Sequence, residues 1–308
     1  MSSRVLIIGA GMAGLSAANA LESAGSSPVI VDKSRGVGGR LATRRSQFGS
    51  FNHGAPTVSA FTSAFKAFLT EADTAQWNRF GEAEGDPTMS ALAKPLVGQI
   101  PLHLKLSVTH LESAESGVRA TFSNDTSKEY GRAIVAVPAP QAIQILRVED
   151  VLADWAQPLN NVEMSPCWAG LFAFEKSLPV LSVPRGIHLQ KDSGFDDNQH
   201  SERWVFHADA EWSQEHLERD KEEILEDITT LFFYKLQMDR QEPIFAQAHR
   251  WRYARVAKQL KLPSLQSPDG RICVIGDAFS GPDGSWHDAE AAFHSGQSVA
   301  RMPVNSFN

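Results

Sequence analysis

The hydrophobic pattern opens with residues 4–8, an apolar run rich in β-branched side chains, which predicts a buried strand. Glycine and small residues at 9–14 break it as a turn. The apolar spacing over 15–24 predicts a helix ending near Gly25. A second apolar run at 28–31, closed by Asp32, predicts another strand, so one βαβ unit fits into about thirty residues. Beyond a Gly- and Arg-rich loop at 34–45, helical spacing returns at 61–69 and 89–96. Strand-like runs follow at 102–108, 117–122 and 133–137, before Pro138 and Pro140 break the chain. Further strands are predicted at 168–174, 204–207 and 271–275, and a polar loop at 192–202. A long helix is predicted at 216–236, acidic early as the helix dipole favours, and a last helix at 289–300. No internal repeat or low-complexity tract interrupts this order.

Composition narrows the function classes. The 308 residues give room for two domains, and 42% hydrophobic with 21% charged residues is a globular balance. A formal net charge of −7 argues against a nucleic-acid partner, which needs a basic surface. The two cysteines, Cys167 and Cys273, are far apart and form no metal motif, so both read as buried small hydrophobes of a chain in a reducing cytoplasm. Residues 5–21 superficially look like a signal peptide. Only Arg4 precedes them as a basic residue, however, and three glycines at fixed spacing weaken any apolar helix there. No other run is long enough for a bilayer, so neither a membrane partner nor a metal is expected.

The glycines explain that first segment. Gly9-Ala10-Gly11-Met12-Ala13-Gly14 is G-x-G-x-x-G between a strand and a helix. Gly9 permits the tight turn, Gly11 lets the backbone approach a pyrophosphate, and Gly14 lets helix and strand pack closely. The helix N-terminus then faces the phosphates. Asp32, ending the second strand, is placed to accept hydrogen bonds from ribose hydroxyls. The motif alone leaves NAD and FAD open. The loop that follows, DKSRGVGGRLATRR from Asp32 to Arg45, adds Gly38-Gly39-Arg40 at a fixed distance from the acid, with Lys33 and Arg35 nearby. Guanidinium groups beside a helix N-terminus make a second phosphate clamp.

With this Gly-Gly-Arg core the sequence resembles the flavin amine oxidase superfamily, and more closely the bacterial renalase-like FAD-dependent oxidoreductases. The likeness continues through Asn52-His53-Gly54-Ala55, VPAP at Val137, WAGLFAFE from Trp168, VFHADAEWSQEHLE from Val205, HRWRYARV from His249, and the closing IGDAFS and SGQ. It implies an α/β fold: a Rossmann-type FAD-binding domain of the p-hydroxybenzoate hydroxylase/amine oxidase kind, interleaved with a smaller α+β substrate domain having an antiparallel sheet. The FAD part would comprise 1–60, 86–150 and 260–308, and the substrate part 61–85 and 151–259.

The resemblance also implies a set of FAD contacts. They are Gly9, Gly11, Met12, Ala13 and Gly14, then Asp32, Lys33, Arg35, Gly39 and Arg40 around the ADP and pyrophosphate. Val108 would touch adenine, Gly54, Ala55 and Pro56 would pass the isoalloxazine, and Gly276 and Asp277 would serve the ribityl or pyrophosphate region. Glu290 and Ala291 would sit at a helix N-terminus facing the flavin N1/O2 edge, where reduction places negative charge. His207 would position substrate, donating a hydrogen bond to a carboxamide. Arg250, Trp251, Arg252 and Tyr253 would hold a dinucleotide pyrophosphate and stack a base, or else form a strand with one solvated charged face. The implied reaction moves a hydride from a wrongly reduced nicotinamide dinucleotide to flavin, with O2 as acceptor. This chain departs from the pattern at Pro56-Thr57, at an insertion over 281–288 and at Ala291. An amine oxidase or desaturase, and a non-catalytic FAD-binding sensor, remain as other readings.

Overall fold

The computed structural model describes residues 4–72, 88–148, 151–180, 182–190 and 201–301. The expected loop at 192–202 therefore lies almost wholly outside the described residues. The chain begins with β1 (Arg4–Ile8), α1 (Met12–Ser23) and β2 (Ser27–Asp32). Helix α1 starts three residues earlier than its apolar spacing suggests. Its N-cap is Gly11, and Gly14 sits inside its first turn pressed against the Gly9 carbonyl.

The loop after β2 passes through one 3-10 turn into the hairpin β3 (Arg44–Ser46) and β4 (Gly49–Phe51), and then α2 (Ser63–Ala72). Residues Met89–Val97 form 3-10 rather than α-helix, with Pro95 inside. The strand expected at 102–108 is two strands, β5 (Leu102–Leu104) and β6 (Val108–Ala114). Lys105 separates them at φ 57°, because its amide and that of Leu106 turn to the Ser34 and Asp32 carbonyls. Strands β7 (Gly117–Phe122) and β8 (Ser127–Tyr130) complete an antiparallel sheet with β6, and β9 (Arg132–Val135) returns to β1. Pro138 and Pro140 start a helix instead of merely breaking the chain. α3 (Ala139–Leu146) has Pro138 as N-cap and Pro140 in its first turn, where a missing N–H costs nothing.

After the short pair β10 (Arg147–Val148) and β11 (Val151–Leu152) comes β12 (Glu163–Phe174), longer than expected. It is followed by β13 (Ile187–Gln190) and β14 (Glu202–His207). The helix expected at 216–236 is α5 (Lys221–Leu236), starting five residues later, and a short helix α4 (Ala210–Glu215) precedes the expected range. Asp220 caps α5 by accepting from the Glu222 amide at 2.9 Å, which fixes a new helix start. The 14-residue β15 (Phe245–Lys258), β16 (Leu265–Gln266), β17 (Ile272–Val274) and α6 (Asp288–Ser298) finish the chain.

Two sheets dominate. The six-stranded one runs β16-β17-β9-β1-β2-β5, parallel except for β16. Strand order reverses at β1, so the crevice at its carboxyl end is where a doubly wound sheet binds its ligand. The four-stranded antiparallel sheet runs β13-β14-β12-β15. One of its faces buries Trp168, Phe172, Phe174, Trp204 and Phe206 against Ile224, Ile228 and Phe232 of α5. Helix α2 packs Phe65 and Phe68 on Phe293 and into the core of α1, not on the antiparallel sheet. That packing joins 63–72 to the parallel sheet, and residues 73–85 of the 61–85 segment expected in the substrate part lie outside the described residues.

Candidate functional site

The carboxyl end of β1 delivers a backbone cradle. A Cβ on Gly14 would overlap the Gly9 carbonyl, and one on Gly39 would come within 3.2 Å of Gly11 Cα. Gly11 and Gly38 form a parallel bridge, and the Gly38 amide donates to Ala10 O at 2.8 Å. The Gly-Gly-Arg loop therefore lies directly on the glycine turn. Helix α1 opens there with no side-chain cap and no acid in its first turn, leaving the amide end of its dipole unopposed by side chains. Asp32 accepts from the Ala10 amide at 2.7 Å and the Ser34 amide at 2.6 Å. Its first role is to fold the two loops together, and each carboxylate oxygen keeps a further lone pair for a hydroxyl. Lys33 and Arg35 are exposed, and Val108 is buried at the start of β6. An uncapped helix end between two backbone-only surfaces fits a dinucleotide pyrophosphate, so these residues suit FAD.

Arg40 reaches across the chain. Its two Nη atoms grip Asp277 at 2.6 Å each, and Nη1 also reaches Ala254 O at 3.4 Å. Burial works against the charged guanidinium, and the Asp277 carboxylate outweighs it and raises its pKa. This bidentate pair joins the arginine loop to the Gly276-Asp277 turn and to β15, leaving part of the fork for a phosphate. The Gly54 and Ala55 amides donate to Ala42 O and Arg40 O at 3.3 and 2.7 Å, so that segment is stitched beside Arg40 and leads on to Pro56.

Helix α6 is anchored by a buried carboxylate. Glu290 accepts from the Thr62 amide at 2.7 Å, from Thr62 Oγ1 at 2.6 Å and from the Phe61 amide at 3.1 Å. Because Thr62 Oγ1 donates to Glu290, His294 Nε2 at 2.8 Å must donate to that hydroxyl. Glu290 thus spends its carboxylate on the 61–62 segment. Any contact it makes with a cofactor falls to its backbone, and Ala291 is fully buried beside it. The insertion folds onto the same helix, with Trp286 stacked on His294 at 5.0 Å, so its indole is committed to packing. Burial raises the Glu290 pKa, and the Thr62 and Phe61 hydrogen bonds outweigh it and hold the group below 4.5. Glu290→Gln is expected to cost about 2–3 kcal/mol, since an amide sets N–H against N–H. Thermal melts at pH 7 should fall by several degrees. That stability belongs to the ionised form, so the wild type should lose it only below the ordinary carboxylate range, as pH falls through the depressed pKa.

The antiparallel sheet turns its other face toward this region. His207 pairs with Ala169, and Ala169 pairs with His249, so the three stand in one cross-strand row. His188 lies edge-on to His207 at 5.5 Å, and His249 lies edge-on to both His53 and Trp251 at 4.6 Å from each. The His53 carbonyl, just before Gly54, accepts Trp251 Nε1–H at 2.8 Å and lies 3.0 Å from His207 Nε2. Burial, then His249 and Arg44, pushes the His53 pKa to about 3. Burial is the first cause for His207 and His249 as well, taking each to about 4. The charged residues acting on these rings, and on His188, are Arg44, Arg255 and Lys221, all cations.

The expected donor role of His207 is corrected here, and of the two readings of 250–253 the charged strand face is the one observed. His207 gives its one ring hydrogen to His53, so it has none to donate to a carboxamide. The 250–253 stretch also splits by strand alternation. Arg250 donates to Leu217 O at 2.7 Å and Arg252 grips Glu218 at 2.5 and 2.8 Å, away from the histidines, while Trp251 joins them. The cations beside the site are Arg44 and Arg255. Burial pushes both Cys167 and Cys273 thiols up to about 12, so neither is a nucleophile. Among the described residues no group of His, Cys, Asp or Glu is arranged to hold a metal. Likewise, no described helix is long and apolar enough to cross a membrane.

Sequence reasoning missed His53, His188 and His249 as site residues. The available signal was the alternation His249-x-Trp251 on one strand face. Comparison with known proteins completes the picture. Residues 7–72 match the family model described as NAD(P)-binding Rossmann-like domain, and residues 74–302 match the one described as flavin containing amine oxidoreductase. Among solved structures, cyclohexylamine oxidase from Brevibacterium oxydans IH-35A is similar at 16% identity and TM-score 0.64, covering 98% of both chains. Putrescine oxidase bound to putrescine is similar at 16% identity and TM-score 0.64, covering 97% of this chain and 98% of its own. At such identities these structures speak to the fold.

Proposed function

Because the chain belongs to the flavin containing amine oxidoreductase family and is an FAD-dependent oxidoreductase, we propose that it is a renalase-like oxidase of 2- and 6-dihydro isomers of NAD(P). Bound FAD supplies a two-electron acceptor that O2 reoxidises. The balance is one isomer, one O2 and one proton giving NAD(P)+ and hydrogen peroxide. The observation that carries this reading is the charge of the substrate-side face: histidines held neutral by burial and flanked by Arg44 and Arg255, with no carboxylate among the described residues acting on them.

Such a face attracts a dinucleotide pyrophosphate and repels an ammonium ion. Among the described residues it also holds no group poised to remove a proton at neutral pH. Hydride donation from a dihydropyridine needs none, since the hydrogen leaves with its electron pair and the ring becomes aromatic. The residues of this chain are left to bind, orient and exclude water. The amine reading rests on the family and on the fold shared with cyclohexylamine and putrescine oxidases. It requires this cationic face to accept an amine.

The test is anaerobic mixing of the purified flavoprotein with the isomers, with ordinary NAD(P)H and with amines, followed at the flavin absorbance. Bleaching by an isomer, reversed by air with one peroxide per turnover, is the expected result. Bleaching by amines alone would move the activity to amine oxidation, and no bleaching at all would favour a non-catalytic FAD protein. Arg255→Glu should raise KM for the isomer about two- to fivefold with kcat unchanged, since an exposed ion pair contributes ~0.2–1 kcal/mol.

A further inference from the structure

We infer that His207 is locked as a hydrogen-bond acceptor toward substrate, and that it selects the ring carboxamide by accepting from its NH2 group. The inference rests on the dihydronicotinamide reading and goes further, naming the atom and the direction of the bond. The lock is read from three neighbours. His207 Nε2 stands 3.0 Å from the His53 carbonyl oxygen, which can only accept, so Nε2 carries the hydrogen. The same oxygen takes Trp251 Nε1–H at 2.8 Å, which fixes its position from β15 while His207 approaches from β14. Burial above all, with the His188 ring and Arg255, outweighs the His53 and Gly54 backbone hydrogen bonds and disfavours a second ring proton.

Nδ1 is therefore a bare lone pair. It is buried, and none of the described residues donates to it. A buried acceptor without a donor is costly unless a ligand or water supplies one. In the row His207–Ala169–His249, only the small Ala169 stands between the two imidazoles. The carbonyl that sets the tautomer belongs to the residue preceding Gly54 and Ala55, whose amides are tied to the arginine loop. One backbone group thus relates the acceptor to the cofactor segment. A substrate with an N–H donor beside its reacting ring satisfies Nδ1, whereas a methyl ketone in the same place buries the lone pair unpaired.

Two measurements on the FAD-loaded protein test this. Nitrogen-15 NMR of histidine-labelled protein, with His207 assigned by its loss in His207→Phe, should show an unprotonated Nδ1 and a protonated Nε2. In kinetics, dihydro isomers made from NAD, its thionicotinamide analogue and its 3-acetylpyridine analogue should separate by donor. The first two keep an NH2, and the acetyl compound should fall at least about tenfold in kcat/KM relative to them. His207→Phe should erase that ratio, while His207→Asn, whose Oδ1 stands in for Nδ1, should keep it.

A protonated Nδ1, or a ratio unchanged in His207→Phe, overturns the inference. If no isomer reduces the flavin, the dihydronicotinamide reading fails and the carboxamide assignment falls with it, whichever tautomer NMR reports. Should His207→Phe not retain FAD, the wild-type ratio and the His207→Asn variant decide the matter.

Discussion

Gly14→Ala is expected to yield protein without bound FAD, while Gly36→Ala in the neighbouring loop stays yellow. The methyl at position 14 would overlap the Gly9 carbonyl oxygen and come within 3.2 Å of Ala136 Cβ, whereas one at Gly36 meets nothing within 4 Å. Relief at Gly14 requires α1 to lift off β1, and that movement carries the phosphate-facing amides with it. Overpacking between backbones costs on the order of 3 kcal/mol or more. The check is flavin absorbance per mole of protein, with the melting temperature alongside. A Gly14→Ala protein with full flavin and an unshifted melt would show that this close approach is not what holds the cradle.

The second large effect is acid sensitivity beginning well above the carboxylate range. His207 and His249 have pKa values near 4 and His53 near 3, against 6.5 when unfolded. Between those values the unfolded chain binds protons that the native state does not. Stability is therefore complete above about pH 6.5 and falls as pH drops toward 4. By pH 5 each ring contributes on the order of 2 kcal/mol of destabilisation. A melting temperature roughly 10 °C lower at pH 5 than at pH 7.5 is expected, with flavin released at the transition. Replacing His249 by Gln should flatten the slope. A pH-independent melt over this range would mean that the rings are not held neutral.

The parts of this molecule legible in its sequence are those whose causes are local. The glycine turn, β1, β2 and Asp32 follow from spacing within one βαβ unit. Pro138 and Pro140 read in sequence only as breaks, because proline both ends one element and begins another, and only the helical path after it decides. Asp220 sets the start of a helix that apolar periodicity alone placed five residues too early. The candidate site draws on distant pairs. Arg40 meets Asp277 across 237 positions, and the His53 carbonyl meets His207 across 154. No window of residues contains both partners of such pairs. The resemblance supplied Arg40, Asp277 and His207 separately, but not that the first two grip each other, nor which way the hydrogen on the third points.

Helix α6 lies on α1 so closely that a Cβ on Gly296 would come within 2.8 Å of Ser16 Cβ. Ser16 Oγ donates to Phe293 O at 2.9 Å, and Gln297 reaches back to Ser16 Oγ at 3.0 Å. The helix that presents its amides to the nucleotide is thus packed by residues a ribosome adds some 280 positions later. A nascent chain that has completed its glycine turn still lacks one wall of the cofactor cleft until the last turns of α6 emerge. Flavin loading then waits on the last turns of α6 rather than following directly on the glycine turn. Contacts of such high sequence separation are also the slow ones to form, so the nucleotide-binding core, first to be made, would be among the last parts of the molecule to close.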